Sequence, residues 1–196
     1  MKYIVFEGLD GSGKTTQAKK LCSFLRYKGL RCEYRHIFSS KAGNMIRDIF
    51  INNEFSNTVE ILLLCASRIA FFDEIEEKKE LLDIVILDRF YLSILAMQGQ
   101  EKDDVDLIKH IKKNTVSEND VFYTFFLNTT PSKCMERLDK RHEIDRIERK
   151  GIDFHKKIYD RYLDLICEDD NLYVFDGNQD VQSVQNSIQR KVIEII

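Results

Sequence analysis

Residues 8 to 15 constrain this chain more than any other segment, because they have the spacing of a phosphate-binding loop. They read Gly8-Leu9-Asp10-Gly11-Ser12-Gly13-Lys14-Thr15, which fits the pattern G-x-x-x-x-G-K-[ST]. The β-branched and aromatic run 3–6 precedes the loop, and apolar residues at helical spacing follow it at positions 18, 21, 22 and 25. A strand, a loop and a helix in this order let backbone N–H groups surround phosphate oxygens at the positive end of the helix. We therefore predict that the chain binds ATP or GTP.

The last two residues of this loop predict specific contacts with a bound nucleotide. An exposed Lys14 would reach the outer phosphates, and the hydroxyl of Thr15 would coordinate Mg²⁺. The apolar run 84–87 ends in Asp88, which predicts a buried strand whose carboxylate holds the same metal ion. Arg89 follows, and its guanidinium fork suits the phosphate group of an acceptor. The plainer alternative is a buried strand that ends in an acid by chance, with Arg89 paired to a surface carboxylate.

Strand and helix patterns alternate along all 196 residues, which predicts a single α/β domain. The predicted strands are 2–6, 32–37, 83–87, 121–127 and 172–175. Helical patterns lie between them, with Pro131 at the start of one helix and a last amphipathic helix through 181–195. We expect a three-layer fold of the P-loop nucleoside triphosphatase type, with a five-stranded parallel sheet between two layers of helices. Strands 2–6 and 83–87 should be neighbours, because Thr15 and Asp88 must share one metal ion.

A basic stretch between residues 137 and 150 predicts a short helical lid. Phosphoryl transfer spreads negative charge over the equatorial oxygens, and mobile arginines that close over that group raise the rate and exclude water. Gly11 supplies no cation from within the loop, so we assign this task to the basic stretch. Its arginines are Arg137, Arg141, Arg146 and Arg149. Composition alone would fit a solvated helix surface equally well.

Composition and charge disfavour several classes of partner. The net charge of −3 argues against a nucleic-acid binder, and no apolar run approaches the ~20 residues that a membrane span needs. The first predicted strand begins directly after Met1, so we expect no leader segment. The five cysteines are scattered without metal-binding spacing, which fits a reducing compartment and predicts a cytoplasmic protein.

The chain resembles the thymidylate kinases from end to end, and several motifs carry the resemblance. The segment 6–17 is similar to that family's phosphate loop, and Ala66-Ser67-Arg68 is similar to an A-x-R motif on the helix that lines its base pocket. The segments 88–93 and 96–99 resemble its D-R-[YFH]-x-x-S-x-x-A-Y-Q-G signature. The residues at 145–148, 154 and 161–163 match its lid and the following helix. A plain glycine at position 11 with arginines in the lid is the family's bacterial arrangement.

The resemblance implies a nucleoside monophosphate kinase that uses ATP and Mg²⁺ to convert dTMP to dTDP, and a homodimer packed through the helices after the second strand. The implied catalytic residues are Lys14, Arg89 and the lid arginines Arg141, Arg146 and Arg149. The implied ATP-binding residues are Gly8, Leu9, Asp10, Gly11, Ser12, Gly13, Lys14, Thr15, Thr16 and Arg137, with Thr15 and Asp88 on the metal. On the acceptor, Asp10 would meet the sugar, Arg68 the base, and Arg35 with Arg89 the phosphate. The remaining implied acceptor residues are Leu64, Ser93, Met97 and Gln98.

Three departures from the family pattern concern the acceptor. The segment 35–39 reads R-H-I-F-S instead of R-E-P-G-G, Leu64 replaces the aromatic residue that stacks on the base, and Met97 replaces the aromatic residue that crowds a ribose 2′-hydroxyl. We therefore expect weaker base stacking and poorer discrimination between deoxy- and ribonucleotides. The alternatives are a kinase for another pyrimidine monophosphate or a deoxynucleoside kinase, although the segment 35–39 offers no carboxylate base for a sugar hydroxyl. A GTP-dependent switch protein is disfavoured because the guanine-binding string N-K-x-D does not occur.

Overall fold

A five-stranded sheet forms the centre of the structure, a computed structural model that describes residues 1–140, 150–168 and 171–196. Its strands are β1 (Lys2–Glu7), β2 (Cys32–His36), β3 (Ile84–Asp88), β4 (Val121–Asn128) and β5 (Leu172–Asp176). All pairings are parallel, and the spatial order is β2-β3-β1-β4-β5. The five predicted strands and the predicted parallel sheet are therefore confirmed.

Helices follow the strands and cover both faces of the sheet. They are α1 (Lys14–Tyr27), α2 (Lys41–Asn52), α3 (Asn57–Glu76), α4 (Tyr91–Gln98), α5 (Lys102–Thr115), α6 (Pro131–Leu138), α7 (Gly151–Leu165) and α8 (Val181–Ile195). Pro131 opens α6 as predicted, because a proline at the first helical position lacks only an N–H that would have no partner there. The Asp180 carboxylate caps α8 by accepting the N–H groups of Gln182 and Ser183. Among the described residues, no helix has the length and apolar character needed to cross a bilayer.

Three layers result from the alternation of side chains along the central strands. Tyr3 and Val5 of β1 pack on one face against apolar side chains of α2, α3, α4 and α5. Ile4 and Phe6 pack on the other face against α1 and α8. Because successive strand residues point to opposite faces and both faces are covered, β1 reads as a continuous apolar run. A smaller core beneath α6 and α7 includes Phe126.

The pairing of β1 with β3 brings two distant segments to one edge of the sheet. Phe6 lies opposite Asp88 in the parallel register, so both strands end at the same level. The loop that joins β1 to α1 and the Asp88-Arg89 pair therefore lie side by side at the carboxyl edge. This adjacency confirms the prediction that strands 2–6 and 83–87 are neighbours.

Two glycines give the loop between β1 and α1 a conformation that other residues resist. Gly11 and Gly13 have φ angles of 80° and 101°, in the left-handed region that residues with a Cβ atom rarely adopt. A Cβ atom at Gly11 would also lie 2.5 Å from the carbonyl oxygen of Cys134 on α6. The loop therefore depends on glycine both for its backbone angles and for its close contact with α6.

We expect Gly11→Ala to weaken ATP binding by about tenfold or more, because strain of about 1–3 kcal/mol must be relieved by moving the loop. Isothermal titration calorimetry with ATP measures the change. Gly29→Ala is the matched control, since Gly29 also has a positive φ of 89° but a Cβ there meets no atom within 4 Å. Equal ATP affinities for the two variants would contradict the prediction.

Candidate active site

A cavity opens at the carboxyl edge of the sheet, between the phosphate loop, the ends of β2 and β3, and helices α2, α3 and α4. The predicted site residues that line it are Asp10, Gly11, Gly13, Lys14, Thr15, Thr16, Leu64, Arg68, Asp88, Arg89, Ser93, Met97 and Gln98. Gly8 and Leu9 line a small adjoining cavity, and Ser12 is buried within the loop. The structure thus gathers most of the predicted nucleotide-binding and acceptor-binding residues in one place.

Lys14 is buried, which corrects the expectation of an exposed side chain. Only 6% of the residue is accessible, and Nζ donates a 2.6 Å hydrogen bond to the carbonyl oxygen of Leu9. Burial, together with the positive charge of Arg89, lowers the pKa of Lys14 to about 8. The difference arises because the loop folds around its own lysine, so that the carbonyl group of Leu9 within the same loop accepts from the ammonium group. The ammonium group lies at the centre of the loop, where it can exchange the Leu9 carbonyl for phosphate oxygens.

Thr15 and Asp88 provide the two oxygen atoms that the predicted metal site requires. The hydroxyl of Thr15 donates a hydrogen bond to Oδ2 of Asp88, so the two side chains are in direct contact. Tyr34 of β2 donates to the same oxygen at 3.1 Å, and burial with the charge of Asp88 raises the pKa of this phenol above its usual range. A hydroxyl, a carboxylate and nucleotide phosphates are the hard oxygen ligands that Mg²⁺ takes. The donor set therefore fits Mg²⁺, and Tyr34 is a contact that the strand pattern did not reveal.

Arg89 forms an ion pair with Asp10 inside the site. Its Nη2 lies 2.5 Å from Oδ1 of Asp10, and its Nη1 donates to the carbonyl oxygen of Gly8 at 3.2 Å. The φ angle of Arg89 is 72°, a backbone strain of about 1–3 kcal/mol for a residue with a side chain. Burial opposes ionisation of Asp10, but the charges of Arg89 and Lys14 hold its pKa at about 2. The guanidinium thus pairs with an acid of the phosphate loop, and the alternative of a surface ion pair does not apply.

Glu7 is a buried carboxylate that the sequence analysis did not single out. Its Oε1 accepts hydrogen bonds from the N–H groups of Phe90 at 2.7 Å and Ser93 at 3.2 Å, at the start of α4. Its Oε2 accepts from the Ser93 hydroxyl at 2.6 Å and the Tyr162 hydroxyl at 3.2 Å. Glu7 therefore satisfies the first donors of α4, and Ser93 is committed to this contact. An acid within an otherwise apolar strand was the signal that would have found it.

Arg68 and Gln98 place a buried donor and a buried acceptor in the cavity wall. Arg68 donates from Nη1 to the carbonyl oxygen of Leu64 at 2.8 Å and from Nη2 to that of Phe90 at 3.2 Å. Burial lowers the pKa of its guanidinium to about 10. Among the described residues, Nε of Arg68 and Oε1 of Gln98 have no hydrogen-bond partner. Such buried polar atoms are costly unless a ligand pairs with them.

The wall of the cavity also contains two aromatic rings that the sequence analysis did not anticipate. Leu64 and Met97 line the cavity, but so do Phe38 and Phe50, whose ring centroids are 6.5 Å apart. Phe38 belongs to the segment after β2 in which this chain departs from the family pattern. Aromatic surface therefore reaches the cavity from that segment and from α2, and not from position 64.

Arg35, which we predicted to contact the acceptor phosphate, lies outside the cavity lining, and this role stays a prediction. Its guanidinium donates to Glu33 at 3.0 Å, to Glu74 at 2.5 Å and to the Ser39 hydroxyl at 2.8 Å. These acids, one on the same strand and one on α3, hold the side chain on the α3 side of the sheet. Arg47 of α2 lines the cavity instead.

The predicted lid is only partly within the described residues. Arg137 of α6 donates to the carbonyl oxygens of Ser12 at 3.2 Å and Gly177 at 2.9 Å, so it holds the loop from the side of α6. Arg141, Arg146 and Arg149 lie outside the described residues. Their predicted roles stay predictions.

Comparisons with known proteins agree with this geometry. The family model described as thymidylate kinase matches residues 6–188. A thymidylate kinase of Thermoanaerobacter sp. is 36% identical over 197 residues, covering 95% of this chain and 95% of the relative. Those of Thermosipho melanesiensis and Legionella pneumophila are 35% and 33% identical, covering 96% and 100% of this chain and 96% and 95% of the relatives. Because the match spans both the phosphate loop and the walls of the cavity, the chain belongs to the thymidylate kinase family.

Proposed function

We propose that the chain transfers the γ-phosphoryl group of ATP to dTMP, giving ADP and dTDP. The observation that carries the proposal is that Arg68 and Gln98 line the same cavity as the phosphate loop, while Nε–H of Arg68 and Oε1 of Gln98 have no hydrogen-bond partner among the described residues. Thymine presents a 4-carbonyl acceptor beside an N3–H donor, which is the complement of that pair. Cytosine presents an amino donor and an unprotonated N3, which reverses both polarities.

The donor side of the reaction uses the phosphate loop. Lys14 and the loop N–H groups would hold the outer phosphates of ATP, with the following helix adding its positive end. Thr15 and Asp88 would hold Mg²⁺, which when bound neutralises charge on the β- and γ-phosphates. The support for this assignment is the direct contact between the Thr15 hydroxyl and the Asp88 carboxylate.

The acceptor side needs positioning more than proton abstraction. A phosphate monoester has a second pKa near ~6, so dTMP already carries an anionic oxygen at neutral pH. That oxygen attacks the γ-phosphorus, the bond from phosphorus to the β–γ bridging oxygen breaks, and ADP leaves with the electron pair. Arg89 and Arg47 both line the cavity and supply positive charge for the two phosphates. The lid arginines would complete this shell from the stretch 141–149.

The carboxylates in the cavity wall disfavour a deoxynucleoside kinase. Such an enzyme needs a carboxylate base for a sugar hydroxyl, and the described cavity wall contains only Asp10 and Asp88 as acids. Asp10 has a pKa of about 2 and is paired with Arg89, while Asp88 accepts hydrogen bonds from Thr15 and Tyr34. Both carboxylates are therefore already engaged by side chains of the site. Asp10 is better suited to accept a hydrogen bond from the sugar 3′-hydroxyl.

We expect ADP release with dTMP to exceed that with dCMP by at least about tenfold, and thymidine to be a poor acceptor. A coupled ADP assay over dTMP, dCMP and thymidine measures these rates. If thymidine were turned over faster than dTMP, a nucleoside kinase would replace the proposed monophosphate kinase.

We expect Lys14→Ala to lower kcat by roughly 10²-fold, whereas Lys20→Ala, on the exposed face of α1, should not lower it. Because Lys14 is buried, the melting temperature of each variant must be measured together with the rates.

The sugar preference provides a second prediction, which concerns Met97. We expect Met97→Tyr to raise the ratio of kcat/KM for dUMP over UMP by about tenfold, because the ring would occupy space near a 2′-hydroxyl. Met97→Leu adds no ring and should leave the ratio unchanged. An unchanged ratio in Met97→Tyr would assign sugar discrimination to another residue.

We also propose a homodimer and a cytoplasmic location. The exposed apolar residues of α2 and α3, here called the α2/α3 surface, are Met45, Ile49, Val59, Leu62 and Ile69. Leu62 and Ile69 remain 48% and 38% accessible. Contact with a second copy of the chain would bury this apolar surface and stabilise the dimer. The free thiols, four of which are buried, fit a reducing compartment.

Sedimentation velocity at micromolar concentration tests the dimer. We expect the unmodified chain to sediment as a dimer and Leu62→Glu to sediment as a monomer, because a buried unpaired charge is costly at an interface. Ile193→Glu on α8 is the control, since Ile193 is 62% accessible and lies away from the α2/α3 surface. A monomer for the unmodified chain would remove the proposal.

A further inference from the structure

Glu60 is a buried acid on α3 to which the proposed reaction assigns no role. Only 9% of the residue is accessible, and its Oε2 accepts a 3.4 Å hydrogen bond from Nε2 of Gln98. Gln98 is also held through its backbone, because its carbonyl oxygen accepts hydrogen bonds from Asn57 Nδ2 at 2.8 Å and from the N–H of Gln100 at 2.7 Å. The last residue of α4 is therefore held at two points, and its buried Oε1 has no hydrogen-bond partner among the described residues.

The carboxylate of Glu60 decides which end of the Gln98 amide points where. An ionised carboxylate only accepts hydrogen bonds, so it pairs with the amide nitrogen and repels the amide oxygen. In a buried site this preference is strong, because water does not screen the wrong orientation. Oε1 is accordingly the atom that has no partner among the described residues. A neutral partner at position 60 would accept either orientation.

We propose that Glu60 is a positioning residue that sets the base specificity of the site. By fixing the amide of Gln98, it makes the cavity complementary to the N3–H of a keto pyrimidine and unfavourable to the unprotonated N3 of cytosine. This inference rests on the proposed function, and it assigns the discrimination to an acid that need not touch the substrate.

Glu60→Gln tests the inference through a ratio of rates. The new amide at position 60 can donate or accept a hydrogen bond, so the side-chain amide of Gln98 can flip and present Nε2 to N3 of cytosine. We expect the ratio of kcat/KM for dTMP over dCMP to fall by about tenfold, the equivalent of about one hydrogen bond between neutral groups. Both substrates are assayed on one preparation, so any unfolded fraction cancels in the ratio. A merely structural role would lower both rates and leave the ratio unchanged.

Three further variants complete the test. Glu60→Asp keeps the carboxylate and should keep the preference for dTMP, and Glu54→Gln removes the same charge from an exposed position and should leave the ratio unchanged. In a Gln98→Ala background, Glu60→Gln should have no further effect on the ratio, because the amide that it orients is gone. Retention of the ratio within twofold in Glu60→Gln would overturn the inference while leaving the kinase proposal intact. Failure of the unmodified chain to phosphorylate dTMP would instead overturn the proposed function.

Discussion

The parallel pairing of β1 with β3 is the constraint on which the site depends. Phe6 lies opposite Asp88, so the phosphate loop and the Asp88-Arg89 pair leave the sheet at one level. The N–H of Arg89 then reaches the carbonyl oxygen of Phe6 at 2.9 Å, which fixes the strained backbone of Arg89 against β1. A shift of the register by one residue would turn Asp88 to the opposite face and separate it from Thr15. The core on both faces of the sheet prevents that shift, since each residue of these strands is packed.

Buried and partly buried charges in the site are each held by a hydrogen-bond partner. Asp10 faces Arg89, Asp88 accepts from Thr15, and Lys14 donates to the Leu9 carbonyl. Burying these groups costs free energy unless they are paired, and the pairs keep them at fixed positions for the charges of two phosphorylated substrates. Donors and cations that are already oriented need little reorganisation when charge moves during phosphoryl transfer. Glu7 accepts hydrogen bonds from the start of α4, and Glu60 accepts one from the Gln98 amide, so both acids contact residues that line the site.

Agreement between sequence and structure is closest where the pattern is local. The strands, the start of α6 at Pro131 and the last helix follow from hydrophobic period and capping, which neighbouring residues decide. Agreement is poorer where the partner of a side chain lies far away in the sequence. The sequence did not reveal that the guanidinium of Arg35 pairs with Glu74 of α3, and its predicted contact with a phosphate stays a prediction. Leu64 indicated that the cavity lacks an aromatic ring to stack on the base, but Phe38 and Phe50 contribute aromatic rings to the cavity lining from other segments.

The sequence by itself determined the α/β alternation, the phosphate loop and the family. The alternation and the loop depend on short spacings, in which the chain's own geometry places the groups together. Only the tertiary structure decided which cations reach the cavity and which side chains Glu7 and Glu60 contact. Each of these depends on contacts across elements far apart in the chain, such as Glu60 of α3 with Gln98 of α4. The physical reason is that a long polar side chain pairs with whichever partner folding brings within hydrogen-bond distance, and no local pattern encodes that partner.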